Sequence, residues 1–260
     1  MAEILIRTTS DEGGAVAADI IASVIRSKPD AVLGLATGST PLTVYTALAA
    51  QVSAGLDVSE VRGFALDEYI GLPVGHPESY RAVIEREVIK PLGLNPAAIR
   101  TPDATPDLLA TAGDRYETAI REAGGVDVQI LGIGSDGHIG FNEPGSSLGS
   151  LTRVKTLSQQ TRQDNARFFD NLEQVPLHCL TQGVGTILRA RHLILLAFGE
   201  QKADALAAAV EGPLSAEVPG SAIQLHPHVT VIVDEAAASR LARADYYRFA
   251  ESGKPSWQGY

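Results

Sequence analysis

The stretch VDVQILGIGSDGHIGFNEP, residues 126–144, joins a run of apolar residues to a polar turn rich in glycine. Its first part has the β-branched and apolar content of a buried strand. Asp136, His138 and Glu143 follow in the turn, where three such polar groups have no obvious place in a core. Ligands of open α/β sheets collect at the carboxyl ends of the strands. The stretch therefore predicts a strand that delivers its last residues into a functional site.

The glycines of this turn also satisfy the GxGxxG spacing of dinucleotide-binding proteins, at Gly132, Gly134 and Gly137. That fingerprint needs a helix opening at the third glycine and an acidic residue about 20 residues further on. Here a proline and a glycine at 144–145 interrupt any helix, and residues 157–160 contain no acid. We therefore reject dinucleotide binding. A simple glycine turn would explain the glycines but not the clustering of a histidine with two carboxylates.

Short β-rich runs alternate with longer helical patterns along the rest of the chain. Strands are predicted at Ile4–Arg7, Ala31–Leu35, Val61–Leu66, Val126–Ile133, His192–Phe198 and Val229–Val233. Helices are predicted at Ala15–Ser27, from Pro41 onward, at Asp107–Ala123 and at Lys202–Glu211. This alternation is typical of an α/β protein with a mostly parallel sheet covered on both faces. We expect one domain over residues 1–260, with a loosely ordered tail from about Arg248.

Composition limits the partners and the location of the protein. The 260 residues carry a net charge of −10, which argues against a nucleic-acid surface because phosphate backbones need clustered Lys and Arg. No window reaches the roughly 18 apolar residues of a membrane span, and the N-terminus lacks a signal-type segment. We therefore expect a cytoplasmic protein that binds neither nucleic acid nor membranes. The single cysteine, Cys179, excludes an intramolecular disulfide and fits a small core residue.

Two further polar clusters follow predicted strands. The turn of Gly38, Ser39 and Thr40 precedes a helix whose free N–H groups and positive dipole end can hold a phosphate, although Thr40 can equally cap that helix. Asp67 and Glu68 leave an apolar strand side by side and must point to opposite sides. One of these two acids can therefore act as a general base, although on residue types alone the pair fits a solvated turn slightly better.

Isolated cations and histidines carry weaker signals. Arg167 offers a fork of donors and Lys202 a point charge to a phosphate, but each taken singly also fits a surface residue. His226 and His228 have no carboxylate partner at a metal-ligand spacing, and the remaining histidines are scattered. We therefore expect no metal.

Five segments of the chain, taken together, resemble one known family. They are LATGSTPLTVYTAL, FALDEYIGLP with HPESY, LGIGSDGHIGFNEPGSSL, TRQDNARFF, and LTQGVGTIL with GEQKADAL. In this order they closely resemble the glucosamine-6-phosphate deaminase (isomerase) family from about Ala31 to Asp234. The resemblance implies a single-domain, three-layer α/β/α sandwich with a modified doubly wound, mostly parallel sheet. It implies an enzyme of amino sugar metabolism, classed as a hydrolase, that converts glucosamine 6-phosphate and water to fructose 6-phosphate and ammonia.

The same resemblance implies residue roles. Asp67 becomes the base that moves the C2 proton, and Glu68 does not receive that role. Asp136, His138 and Glu143 become the ring-opening group, in which His138 shuttles a proton between the ring oxygen and the anomeric hydroxyl. The residues implied for the substrate phosphate are Gly38, Ser39, Thr40, Arg167 and Lys202. Because both steps are proton transfers, neither a nicotinamide cofactor nor a metal is required.

Some members of this family are hexamers activated by N-acetylglucosamine 6-phosphate at a subunit interface. Four residues here resemble part of that effector site, namely Ser146, Arg153, Lys155 and Thr156. Where a tyrosine is expected from the C-terminal segment, an ungapped comparison brings Arg248. Arg153 and Lys155 also fit an ordinary solvated pair on one strand face. Homo-oligomer formation and effector control therefore both stay open.

Two alternative functions compete with the deaminase. The 6-phosphogluconolactonases share the fold and a DGH turn, but we expect a Ser-Leu-Phe-Pro-like run after that turn, where this chain has Phe141-Asn142-Glu143-Pro144. We also expect an arginine in place of Tyr69. The second alternative is a sugar-phosphate sensor that keeps the pocket and has lost the chemistry. It is less favoured because all of the expected catalytic residue types are present.

Overall fold

The computed structural model describes residues 2–255 and 257–260 of the chain. Its strands are β1 Glu3–Arg7, β2 Val32–Leu35, β3 Arg62–Ala65, β4 Asp67–Ile70, β5 Ile99–Arg100, β6 Val128–Gly132, β7 Arg153–Thr156, β8 His178–Thr181, β9 His192–Ala197 and β10 Val229–Asp234. Its α-helices are α1 Ser10–Ser27, α2 Ser39–Ser53, α3 Tyr80–Ile84, α4 Lys90–Leu92, α5 Leu109–Glu122, α6 Gln159–Asn165, α7 Val184–Ile187, α8 Ala203–Val210 and α9 Ala244–Ser252. A π-helical turn, Glu85–Ile89, joins α3 to α4.

The main sheet has seven parallel strands in the order β1-β10-β9-β6-β2-β3-β5. Every residue of β2 and of β9 is buried, as expected for a parallel sheet that helices cover on both faces. All six strands predicted from the sequence are present in this sheet. The predicted α/β sandwich with a mostly parallel sheet is therefore confirmed.

A second sheet, antiparallel and of order β4-β8-β7, was not predicted. Its strands are four residues long and carry polar side chains, so they lack the continuous apolar runs that mark the main sheet. Asp67 and Glu68, which fitted a solvated turn, are instead the first two residues of β4, and each is only 6% exposed. That interpretation was wrong, because pairing with β8 buries a segment whose own residues are polar.

The C-terminal segment expected to be loosely ordered continues α9 as far as Ser252. Ion pairs attach it to the first strand, since Arg7 contacts Glu251 and Lys254 lies 2.7 Å from Glu3. Among the residues described, every helix is too short or too polar to span a lipid bilayer.

Candidate active site

Four neighbouring strands of the main sheet bring the predicted site residues to one edge. The strands β9, β6, β2 and β3 lie side by side and run parallel, so their carboxyl ends open on the same side. Lys202 follows β9, the loop of residues 133–145 follows β6, the turn of residues 36–38 follows β2, and Asp67 follows β3. The fold therefore gathers residues that are far apart in the sequence.

Asp136 and His138 form a hydrogen-bonded pair in the loop after β6. Oδ1 of Asp136 lies 2.6 Å from Nδ1 of His138 and also accepts the His138 backbone N–H at 3.1 Å. A carboxylate accepts but does not donate, so the Nδ1 atom carries the proton and Nε2 is left free for a ligand. Burial raises the pKa of Asp136, but the hydrogen bond and charge of His138 lower it further, to about 2. The pair is therefore built around an ionised Asp136.

Gly134 leaves the space that the His138 ring occupies. A Cβ atom at Gly134 would lie 2.2 to 2.7 Å from three ring atoms of His138. The Gly134 N–H also donates to the His138 carbonyl oxygen at 2.9 Å, which closes the turn. The glycine is therefore required by close packing rather than by a nucleotide.

Glu143 completes the cluster. One side-chain oxygen of Asp136, one of Glu143 and one ring nitrogen of His138 all lie within 4.8 Å of one another. Oε1 of Glu143 accepts the Ser158 N–H at 3.0 Å, whereas Oε2 is buried and has no hydrogen-bond partner among the described residues. Two carboxylates and an imidazole are also a donor set that can hold a divalent cation. The same three groups can move a proton over a short distance without a metal.

Asp67 approaches this loop from β4. A Cβ atom at Gly140, whose φ is +54°, would lie 3.6 Å from Oδ2 of Asp67 and 3.2 Å from the Thr181 hydroxyl. Asp67 pairs directly with Thr181 of β8. Burial and then the charge of Glu68 raise the pKa of Asp67 to about 8, although the Thr181 hydroxyl acts in the opposite direction. A carboxyl group with a pKa near neutrality is suited to general base catalysis.

Glu68 points away from Asp67, as their adjacent positions on a strand require. Its Oε1 accepts the N–H groups of Tyr69 at 2.8 Å and Tyr80 at 2.7 Å, and its Oε2 accepts that of Arg81 at 2.8 Å. The backbone thus uses both oxygens of Glu68, so Asp67 is the better candidate base.

The turn after β2 leads directly into the N-terminus of α2. Helix α2 begins at Ser39 with Gly38 as its N-cap, and within residues 2–255 and 257–260 no side chain caps it. Thr40 therefore does not serve as the cap, which was the competing interpretation. Free N–H groups at a helix N-terminus attract anions through hydrogen bonds and the helix dipole.

Lys202 and Arg167 lie close to one another at the same edge. Burial lowers the pKa of Lys202, the charges of Asp164 and Asp136 raise it, and the charge of Arg167 lowers it. Lys202 is half-buried, whereas Arg167 is exposed and stacks on Phe168 with its guanidinium 4.8 Å from the ring centre. Two cations beside the loop of His138 can neutralise a dianionic phosphate.

The four residues that resemble an effector site do not share one face. Arg153 and Lys155 are half-buried on one side of β7, whereas Thr156 is exposed on the other. Ser146 is buried and its hydroxyl lacks a hydrogen-bond partner among the described residues. Arg153 donates to Oδ1 of Asn142 at 2.6 Å, next to Glu143 in sequence. An effector role for these residues stays a prediction.

Sequence reasoning gave no role to the aromatic residues and hydroxyls around Asp67. Tyr80 packs against both Tyr69 and Phe141, with ring centres 4.7 and 5.8 Å away, and those two rings also lie 5.6 Å from each other. The Thr37 hydroxyl lies close enough to Tyr80 to affect the pKa of its hydroxyl. The sequence marked this region only through the FALDEYIGLP and HPESY segments and the comparison of Tyr69 and Phe141 with the lactonase pattern. Cys179 lies fully buried beside Tyr69, which confirms it as a core residue.

Comparison with known proteins identifies the family. The model of the family described as glucosamine-6-phosphate isomerases/6-phosphogluconolactonase matches residues 8–232. This chain belongs to that family, which is named for both of these sugar-phosphate activities.

Three similar proteins carry the name glucosamine-6-phosphate deaminase, and a more distant one is a 6-phosphogluconolactonase. The chain is 61% identical over 269 residues to the glucosamine-6-phosphate deaminase of Bifidobacterium longum subsp. infantis, with 100% of each chain covered. It is 60% identical over 259 residues to that of Streptomyces avermitilis, with 99% of each covered. The structure of a monomeric glucosamine-6-phosphate deaminase, 41% identical, matches with a TM-score of 0.89 over 92% of this chain and 100% of that one. The 6-phosphogluconolactonase of Trypanosoma cruzi, 22% identical, shares the fold with a TM-score of 0.74 over 93% of this chain and 97% of its own.

Proposed function

We propose that this chain is an enzyme that converts glucosamine 6-phosphate and water to fructose 6-phosphate and ammonia. The observation that carries the proposal is the convergence of Asp136, His138 and Glu143 within 4.8 Å, with Asp67 facing the same loop across Gly140. Relatives about 60% identical over the whole chain are named for this reaction. Geometry and relatives therefore support the same chemistry.

The cluster of Asp136, His138 and Glu143 opens the sugar ring. The free Nε2 of His138 takes the proton of the anomeric hydroxyl and returns it to the ring oxygen, while the bond between C1 and that oxygen breaks. Asp136 holds the ring, through the 2.6 Å contact, in the orientation and tautomer that leave Nε2 for the sugar. The unpartnered Oε2 of Glu143 can accept a hydrogen bond from the sugar or from His138.

Proton transfer at carbon falls to Asp67. Ionised Asp67 takes the proton from C2 of the open-chain sugar, while the aldehyde oxygen at C1 gains the proton that the C2 ammonium group gives up, which forms an enolamine. Asp67 then delivers its proton to C1, so that C1 becomes a hydroxymethyl group and C2 a protonated imine. The imine formed at C2 adds water and loses ammonia. The overall reaction therefore consumes water and breaks a C–N bond, and it is hydrolytic only in this last stage.

Phosphate binding falls to the N-terminus of α2 with Arg167 and Lys202. A helix N-terminus and two cations supply donors and positive charge to the anionic end of the sugar. The remaining sequence-based expectations, a cytoplasmic location and homo-oligomer formation, stay predictions.

The test is ammonia release from glucosamine 6-phosphate by the purified protein, measured with a chelator and no added metal. We expect ammonia and fructose 6-phosphate in equal amounts. Hydrolysis of 6-phosphogluconolactone without ammonia release would favour the lactonase alternative. Binding of glucosamine 6-phosphate without turnover would favour the sensor, and in that case Asp67→Asn would leave the response unchanged.

A further inference from the structure

Glu68 is buried, yet it lies outside the proposed chemistry. Three backbone N–H groups donate to its carboxylate, from Tyr69 next to it and from Tyr80 and Arg81 at the beginning of α3. Burial raises the pKa of Glu68, and these three donors oppose that effect. The Glu68 carboxyl accepts three hydrogen bonds and donates none, which is the pattern expected of an ionised carboxylate. The chain thus keeps a buried negative charge directly beside Asp67.

This carboxylate joins β4 to the first turn of α3. Ser79 caps the helix, and its hydroxyl accepts the Ala82 N–H. Glu68 accepts hydrogen bonds from the N–H groups of the first two helical residues, Tyr80 and Arg81. Helix α3 is the first part of a continuous helical segment that runs on through the π-helical turn into α4, and its Val83 and Ile84 are buried. Glu68 therefore fixes the N-terminal turn of this segment, and with it the direction of its first side chain, Tyr80.

Tyr80 connects the two halves of the site. Its ring stacks on Phe141 with ring planes 15° apart, and its hydroxyl lies 3.4 Å from that of Tyr69. Phe141 belongs to the loop of residues 133–145, which is the catalytic loop of the proposed reaction. The Tyr80 hydroxyl is close to the side chain of Thr37, which lies in the turn between β2 and α2. Tyr80 thus spans from the loop of His138 to the proposed phosphate turn.

We propose that Glu68 is a positioning residue for the reaction, which fixes Tyr80 between the catalytic loop and the phosphate turn and sets the electrostatic environment of Asp67. The inference rests on the proposed deaminase reaction. It gives the second acid of the Asp67-Glu68 pair a defined part in catalysis, although its carboxylate faces the backbone and not the sugar.

Two effects follow that substitutions can separate. The negative charge of Glu68 raises the pKa of Asp67, so removing that charge lowers the pH at which Asp67 ionises. The hydrogen bonds to α3 depend on the reach of the side chain, so shortening it releases Tyr80 and keeps the charge. Glu68→Gln therefore removes charge and one acceptor, whereas Glu68→Asp keeps the charge and shortens the reach by one methylene group.

The experiment measures kcat, KM and the pH profile of ammonia release for wild type, Glu68→Gln, Glu68→Asp and Tyr80→Phe. For Glu68→Gln we expect the acid limb of kcat/KM to move about one pH unit lower. For Glu68→Asp and Tyr80→Phe we expect KM to rise about 3- to 10-fold, the effect of one lost hydrogen bond, with the acid limb unchanged.

Glu211→Gln is the matched control. Glu211 also accepts two backbone N–H groups before a helix, those of Ala242 and Arg243, together with the Tyr247 hydroxyl. It follows α8, at the end of that helix away from the active-site edge, so its loss should affect stability and leave the pH profile and KM unchanged.

The outcomes separate the two proposals. If wild type releases no ammonia, the proposed function fails. If wild type is active and the acid limb of Glu68→Gln coincides with that of wild type and of Glu211→Gln, the inference fails. It fails equally if Tyr80→Phe and Glu68→Asp leave KM unchanged. If Glu68→Gln does not fold, Glu68→Asp and Tyr80→Phe still test the connection to α3.

Discussion

Oδ1 of Asp136 lies 2.6 Å from Nδ1 of His138, although only Gly137 separates the two residues. The turn between them brings both side chains to the same side and fixes the tautomer of the ring.

Asp136→Asn replaces an acceptor with a group that can also donate, so the wrong tautomer becomes available. We expect kcat for ammonia release to fall about 100- to 10,000-fold, as for other losses of proton-transfer groups. Asp57→Asn is the control, because Asp57 accepts the N–H two residues on in a similar turn remote from the site. Equal losses in both variants would contradict a specific role for Asp136.

Asp67→Asn tests the base. The substitution keeps the size of the side chain and removes its ability to accept a proton. We expect turnover to fall at least about 1,000-fold while the affinity for glucosamine 6-phosphate changes by less than about 10-fold. Binding is measured by calorimetry on the inactive variant. Retained turnover would contradict the assignment of Asp67.

The pKa of Asp67 makes the stability of the protein depend on pH. The carboxyl titrates near 3.9 in an unfolded chain and at about 8 in the folded protein, so the folded state binds more protons between these values. This contribution to stability is full below about pH 4 and is lost as pH rises through about 8. We expect Asp67→Asn to reduce the difference in unfolding free energy between pH 5 and pH 8.5 by on the order of a few kcal/mol. Urea unfolding at both pH values measures it, and Asp107→Asn, at an exposed position, should behave as wild type.

Lys202→Met tests the phosphate site. The half-buried ammonium lies near Arg167. In the proposed complex it donates to the substrate phosphate, so its removal should weaken binding. We expect KM for glucosamine 6-phosphate to rise about 10- to 100-fold, with a smaller change in kcat. Lys90→Met, at a lysine whose side chain is 70% exposed, is the control. A fall in kcat at constant KM would argue against phosphate binding by Lys202.

Gly134→Ala tests the packing of the loop that carries His138. The added Cβ meets the His138 ring at 2.2 Å or slightly more, so the ring or the turn must move. We expect a loss of about 1 to 3 kcal/mol in stability and a disproportionate loss of kcat, because the contact to Asp136 is broken. Gly149→Ala adds the same methyl group where the nearest neighbour is 4.0 Å away, and it should leave both quantities close to wild type. Unfolding curves and ammonia release on the same samples provide the comparison.

Much of the site could be predicted because its signals are local. Asp136, His138 and Glu143 lie within eight residues of one loop, so the strand before them and the glycines between them are enough to bring them together. The six predicted strands of the main sheet form for a similar reason, since each carries its own apolar run. The phosphate turn is another local signal, because the N-terminus of α2 directly follows β2.

The sequence by itself thus determined the parallel sheet and the histidine cluster, and tertiary structure alone decided the environment of Asp67 and Glu68. Their burial comes from pairing with β8, which is distant in sequence and has no strong signal of its own. The high pKa of Asp67 depends on that burial, and the use of Glu68 depends on the docking of α3. Residue types and spacing determine local structure over a few positions of the chain. The desolvation and hydrogen bonding of a carboxyl group depend on every segment packed around it, including segments distant in sequence.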